Sequence, residues 1–208
     1  MKLWKKVPKK ERSKEIVSSI IESTATLLEQ DGHQKISTNK IAEKAGISIG
    51  SLYQYFSNKE SVLETVMTTA ADDYTKFFLE QVAKTDAKDA DSFVRIMIEC
   101  TFDYLMNRRG QFKAIYDLHQ KMGKIDLVIK LRYRNAVIIG THLHEKFPNG
   151  HTKEEYIKYI YTIQCQNFGI FHSFVYAEDP PYTFEEMKAI SIDSTTLLNR
   201  MNTVKPVS

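Results

Sequence analysis

The densest chemistry in this sequence lies between Ser37 and Lys59, in the run STNKIAEKAGISIGSLYQYFSNK. Ser48, Gly50 and Ser51 are small residues opening a short segment that closes at Phe56. A helix that starts this way can bring backbone N–H groups and the positive end of its dipole against phosphates. Glycine costs a helix interior about 1 kcal/mol relative to alanine, so Gly50 signals a backbone that must approach something closely. Leu52 and Phe56 stand four apart and share one face. Assigning them inward leaves Ile49, Ser51, Tyr53, Gln54 and Tyr55 on the exposed faces. Glutamine can pair with adenine in the major groove, and Ile49 can offer apolar contact to a thymine methyl. A tyrosine hydroxyl can donate to a phosphate oxygen. Base reading is therefore expected of Gln54, Ile49 and Ser51, and backbone positioning of Tyr53, Tyr55, Thr38 and Lys59, with Asn39 and Lys40 beside them at a helix start. On the residues alone an alternative stays open, because Tyr53 or Tyr55 can instead close a helical core.

The elements that must hold these residues are helical. Ser37 can cap a short helix from Thr38 to Ala45 that Gly46 ends, and Ser48 can cap the next, Ile49 to Phe56. The link Ala45-Gly46-Ile47-Ser48 is the tight corner of a helix-turn-helix. Helices of about eight residues do not hold alone in water. They need the helix expected from about Lys10 to Gln30, whose Ile16, Ile20, Ala25, Leu27 and Leu28 recur at helical spacing before Asp31-Gly32 breaks it. Further apolar periods predict helices from Lys59 to about Lys84, Ala90 to Asn107, Gln111 to Met122, Asp126 to Phe147, Thr152 to Tyr176 and Phe184 to about Asn202. Breaks fall at Thr85–Asp91, Arg108-Arg109-Gly110, Pro148-Asn149-Gly150 and Pro180-Pro181. The chain reads as all-α with about nine helices: a flexible basic arm over residues 1–9, a helix-turn-helix domain over 10–60, and a single further helical domain over 61–208.

Charge supports that division. Residues 1–60 hold 11 Lys or Arg against 7 Asp or Glu, and residues 61–208 hold 18 against 19, so the positive excess sits in the head. That suits a nucleic acid, and also an acidic protein partner. No apolar run approaches the roughly 20 residues of a membrane span, and a soluble cytoplasmic protein is expected. Cys100 and Cys165 form neither a disulfide framework nor a metal knuckle. His142 and His144 are two apart and point to different sides of a helix, so no metal or cofactor is expected. The sequence contains no glycine-rich phosphate loop after a strand and no nucleophile elbow, so an enzyme is not expected.

The segment from Arg12 to Leu63 resembles the DNA-binding domain of the TetR family of transcriptional regulators. Ile16, Ala25, Gly32, Ile41-Ala42, Ala45-Gly46-Ile47-Ser48, Gly50-Ser51-Leu52-Tyr53, Tyr55-Phe56, Asn58-Lys59-Glu60 and Leu63 carry the likeness at fixed spacing. It implies that Tyr53, Tyr55 and Lys59 touch the DNA backbone while the residues around Ile49, Gly50 and Gln54 enter the major groove. Position 49 is often lysine in the family and is isoleucine here.

Beyond residue 60 no motif matches. The resemblance implies a homodimer made by the last two helices and a ligand cavity enclosed by the middle ones. Pocket candidates are Phe93, Met97, Phe102, Met106, Phe112, Tyr116, His119, Met122, Tyr133, Cys165 and Phe168, since aromatics and methionines line adaptable apolar cavities, though at helical spacing they also build cores. Arg132, Arg134 and several carboxylates could orient a polar ligand or simply lie on the surface. The helix from Thr152 is apolar over more than one face, which nominates Phe168, Ile170, Phe171, Phe174 and Val175, with Ile190 and Leu197, for a dimer interface. The alternative is burial within their own chain. The expected partners are double-stranded operator DNA, a second copy of the chain and a small-molecule effector, which the aromatic-rich body suggests is hydrophobic. A repressor released by its ligand is the leading reading. A ligand-activated or corepressor-dependent regulator and a protein-binding helical module are the alternatives.

Overall fold

A computed structural model describes Lys5, residues 8–148 and residues 151–202, the side chains at 90, 91 and 195–202 excepted. Most of the expected basic arm lies outside the described residues. The described chain is all-α, with nine α-helices: α1 (Glu11–Asp31), α2 (Thr38–Lys44), α3 (Ile49–Tyr55), α4 (Lys59–Lys84), α5 (Ala90–Asn107), α6 (Arg109–Met122), α7 (Ile125–Lys146), α8 (Lys153–Tyr176) and α9 (Phe184–Asn202). A short 3-10 turn, His33–Lys35, follows α1. The expected turn at Arg108-Arg109-Gly110 shrinks to one residue, since α6 resumes at Arg109.

The helices form two compact units: Met1–Asp72 with Arg109–Val128, and Asp73–Arg108 with Ile129–Ser208. The unit that holds the helix-turn-helix is thus larger than residues 10–60. It takes in α4 as far as Asp72, and α6, which packs against α1. The physical reason is core volume. Two seven-residue helices cannot exclude water from α1 by themselves, and α4 and α6 supply Val62, Leu63, Val66, Met67 and Leu118 to one cluster with Val17, Ile20, Leu28, Ile41, Leu52 and Phe56.

Local signals fix the corner. Ser37 Oγ accepts from the Lys40 amide and Ser48 Oγ from the Ser51 amide, so each short helix has a side-chain N-cap. The C-terminus of α2 is a Schellman turn: Ile47 N–H donates to the Ala42 carbonyl at 3.0 Å and Gly46 N–H to Glu43 at 3.1 Å. This turn holds position 46 at φ +66°, where an L side chain is strained. Ile47 then packs against the core. Asn58 Oδ1 accepts from the Ser61 amide and Ser61 Oγ from the Ser57 amide, which starts α4.

In the second unit Phe78, Phe93, Met97, Ile98, Phe102, Ile139, Leu143, Ile160 and Ile192 lie in one core. Gly140 of α7 lets α8 come into backbone contact, for a Cβ there would stand 2.8 Å from Cα and N of Ile157. A reciprocal capping box, Thr152 with Glu155, opens α8. The buried Ser191 hydroxyl donates to Asn167 and ties α9 to α8. Lys188 of α9 pairs with Asp103 of α5 at 2.8 Å.

Candidate nucleic-acid interface

The outer surface of the helix-turn-helix is polar, small and aromatic. Ser48, Gly50 and Gln54 are exposed, and Ile49 and Tyr53 keep 38% and 42% of their surface open. Those two fractions matter because both side chains are apolar in bulk and face water without a partner core. Asn39 and Lys40 are exposed at the start of α2; Thr38, Ser51 and Lys59 are half-buried. The Thr38 and Tyr53 hydroxyls lie 3.1 Å apart and join the start of α2 to α3 across the corner. Ser51 Oγ and Ser48 Oγ are 2.9 Å apart, so Ser51 is engaged with the cap. A Cβ added at Gly50 would meet only Ser48 Oγ at 3.8 Å, ordinary contact, so nothing within the fold requires glycine there.

Tyr55 departs from the exposed position expected of it. It is 5% exposed and belongs to the core with Leu52 and Phe56. The helix ends at residue 55, and Phe56 already has extended backbone, so Leu52 and Tyr55, three apart, share the inward face. Beside Tyr55 runs the one described residue of the first seven: the Lys5 amide donates to the Tyr55 carbonyl at 2.8 Å, at the C-terminal end of α3.

The surrounding charge is cationic, with Lys5, Lys9, Lys10, Lys35 and Lys44 exposed. Lys40 makes only a long ion pair to Asp31, 3.6 Å, between two exposed groups. His33 is held below the ordinary histidine range, first by burial and then by the positive charges of Lys59 and Lys121, against a smaller opposing effect of Glu60.

The pocket candidates fall in both units. Phe112, Tyr116 and His119 share one face of α6 in the first unit, where the Tyr116 ring meets His119 edge-on at 4.6 Å and His119 is buried. Met122, also in the first unit, packs against its core, and the others lie in the second. Phe93 and Met97 line a narrow crevice of about 10 Å³ with Phe78, Gln81, Val82, Thr85, Ile96 and Cys100. That is below the roughly 300–1,000 Å³ of small-molecule sites, so a drug-sized ligand would have to part these helices. Burial and the Asp103 and Glu99 carboxylates hold the Cys100 thiol above its usual range. Phe102 is buried against Phe184, Met106 is half-buried, and Tyr133 is exposed with its ring edge on Tyr161. Cys165 and Phe168 meet at Arg132, whose Nη1 stands 3.4 Å from Cys165 Sγ and whose guanidinium lies 4.6 Å above the Phe168 ring.

Among the interface candidates, Phe171 and Val175 are buried within their own chain. Ile170 and Phe174 are half-buried, Phe174 against Phe184, and Ile190 is 54% exposed. The side chain of Leu197 lies outside the described residues. Two groups carried no expectation: Asn135 Oδ1 and Gln164 Nε2 are buried and find no partner among the described residues. An amide in an amphipathic helix reads as solvent-facing until its burial is known, so only a polar break in the apolar stripes of α7 and α8 could have marked them. Among the described residues no group of three or more His, Cys, Asp or Glu is placed to hold a metal ion, and no helix is long and apolar enough to cross a membrane.

Residues 20–66 match the family described as bacterial regulatory proteins, tetR family. The nucleoid occlusion factor SlmA of Actinobacillus pleuropneumoniae serotype 5b is 34% identical over 65 residues, 30% of this chain and 31% of that protein. The matched stretch is thus about a third of this relative's length. Among solved structures, a TetR transcriptional regulator from Rhodococcus sp. RHA1 is 17% identical with TM-score 0.65, over 95% of this chain and 100% of that one. The multidrug binding protein EbrR, solved with imidazole, is 15% identical with TM-score 0.61, over 86% and 93%. These structures share the fold of both units. Residues 20–66 thus match the N-terminal domain of the tetR family of bacterial regulatory proteins, and the chain as a whole shares the fold of these regulators.

Proposed function

We propose that the chain is a DNA-binding transcriptional regulator, a homodimer that grips a palindromic operator through α3 and releases it when a small hydrophobic molecule enters the body. The observation that carries this reading is the outer face of α3: Ile49, Tyr53 and Gln54 exposed, over a helix start where Gly50 has no internal reason to be glycine. Phosphate contact falls to Tyr53, Thr38, Asn39 and Lys59, and base contact to Gln54 and Ile49. Release follows from linkage: a ligand that prefers a half-site spacing unsuited to DNA lowers operator affinity by its differential binding. Helix α4 begins at Lys59 and contributes residues to both units, which suits it to that coupling. The likeness of the body to EbrR, a multidrug binding protein, favours an apolar effector. Ile190 of α9, 54% exposed, is the best placed of the interface candidates.

The test is selection of bound duplexes from a random pool, followed by titration of the winner at several salt concentrations. A palindrome bound tightly, with a salt slope set by several phosphate contacts, is expected. Recovery of no consensus would overturn the reading and leave the head as a basic surface for an acidic protein.

A further inference from the structure

The second unit holds a half-buried cationic group without an anion. Arg132 of α7 has a thiol and an aromatic ring as partners, Cys165 and Phe168 of α8, and no carboxylate pairs with it among the described residues. A guanidinium is always charged and carries five donors, so neither a thiol nor a ring satisfies it. One turn further along the same face of α7, Asn135 is 6% exposed and its Oδ1 has no partner among the described residues. On α8, Gln164 stands one turn before Phe168 on the face that Arg132 covers, and its buried Nε2 is likewise unpartnered. Unmade hydrogen bonds at buried amides are costly, so each calls for a partner, and a polar ligand is one that supplies it.

We propose that this cluster is the recognition site for a carboxylate-bearing effector with an apolar or aromatic body. Arg132 and Gln164 donate to the carboxylate, Asn135 Oδ1 accepts from a hydroxyl or N–H of the ligand, and Phe168 packs under the guanidinium and against the ligand's apolar part. The inference deepens the regulator reading by giving its effector a charge and a polar end.

The experiment is isothermal titration calorimetry on the full chain without DNA, with benzoate and octanoate as probes and benzamide and octanamide as their uncharged counterparts. The acids are expected to bind at least about tenfold tighter than the amides, the weight of a charge-assisted hydrogen bond. Arg132→Gln and, independently, Gln164→Met are expected to erase that preference while the thermal melt of the free chain stays within a few degrees. A structural role for Arg132 would move the melt and leave the acid-to-amide ratio alone. Equal binding of acid and amide, an unchanged preference in both variants, or no heat from either acid up to about 10 mM overturns the proposal. The selected duplex is titrated in the same instrument. Duplex binding without acid binding defeats the carboxylate site and spares the regulator; acid binding without duplex binding does the reverse.

Discussion

The hydroxyls of Thr38 and Tyr53 stand 3.1 Å apart, one at the start of α2 and one on α3. The two groups carry two hydroxyl protons between them and one is used in their mutual bond, so one remains to be donated outward. A phosphate oxygen is the acceptor this geometry suits. Tyr53→Phe is therefore expected to weaken binding to every duplex by roughly 10- to 150-fold, the 1.5–3 kcal/mol of a hydrogen bond to a charged group, and to leave the melt nearly unchanged. Titration against the selected duplex and an unrelated one checks this; a loss confined to the selected duplex would show that Tyr53 reads sequence instead.

Lys59 and Gln54 separate the two kinds of contact. Lys59→Ala is expected to weaken all duplexes and to lower the slope of log affinity against log salt by about one, the loss of one neutralised phosphate. Gln54→Ala should cost about 1–3 kcal/mol of discrimination at one base pair and little elsewhere. Binding series on single-base variants check both, and a uniform change from Gln54→Ala would remove it from base reading.

Much of this was legible in the sequence because it is written in local signals. Ser37, Gly46, Ser48, Thr152 and Thr183 act on backbone groups within a few residues, and each cap or turn forms where the spacing places it. The sequence leaves Tyr55 open between an exposed face and a core, because its burial depends on the helix ending at residue 55 and on what α4 and α6 bring to the same core. The membership of α6 in the first unit was hidden for the same reason: the pairing of Leu118 with α1 is set by contacts some ninety residues apart in sequence, and helical periodicity shows that a face is apolar without naming what covers it.

Gly140 is expected to be irreplaceable. A methyl group there would meet the Ile157 backbone at 2.8 Å, and backbone cannot rotate away as a side chain can. Gly140→Ala must separate α7 from α8 and is expected to cost about 1–3 kcal/mol, as overpacking does, despite the better helix propensity of alanine. Urea unfolding checks this, and an unchanged or higher midpoint would mean that the two helices yield without penalty.

Stability should depend on pH through His33. Its folded-state value is depressed, so the unfolded chain takes the proton more readily. Its contribution is therefore complete above the ordinary histidine value near 6.5 and is lost as pH falls from there through the lower folded value. Protonation would add a positive charge beside Lys59 and Lys121. The fall in urea midpoint between about pH 7.5 and about pH 5 is expected to be smaller in His33→Gln than in the native chain. Equal falls in the two would assign the acid sensitivity to other groups.

Gly50 gives the sharpest separation of folding from function. A Cβ at this position touches only Ser48 Oγ at 3.8 Å, and the backbone is in the ordinary helical region, so the fold has room for alanine. Gly50→Ala is expected to raise stability by about 0.5–1 kcal/mol through the lower conformational entropy of the unfolded chain. Duplex binding should fall at the same time, because the added methyl stands on the exposed start of α3, where backbone N–H groups must approach phosphate within hydrogen-bond distance. Opposite signs for the urea midpoint and the duplex affinity would place nucleic acid against this face. A variant both more stable and equally tight would mean that nothing approaches Gly50 closely and would move the contact surface elsewhere on the helix-turn-helix.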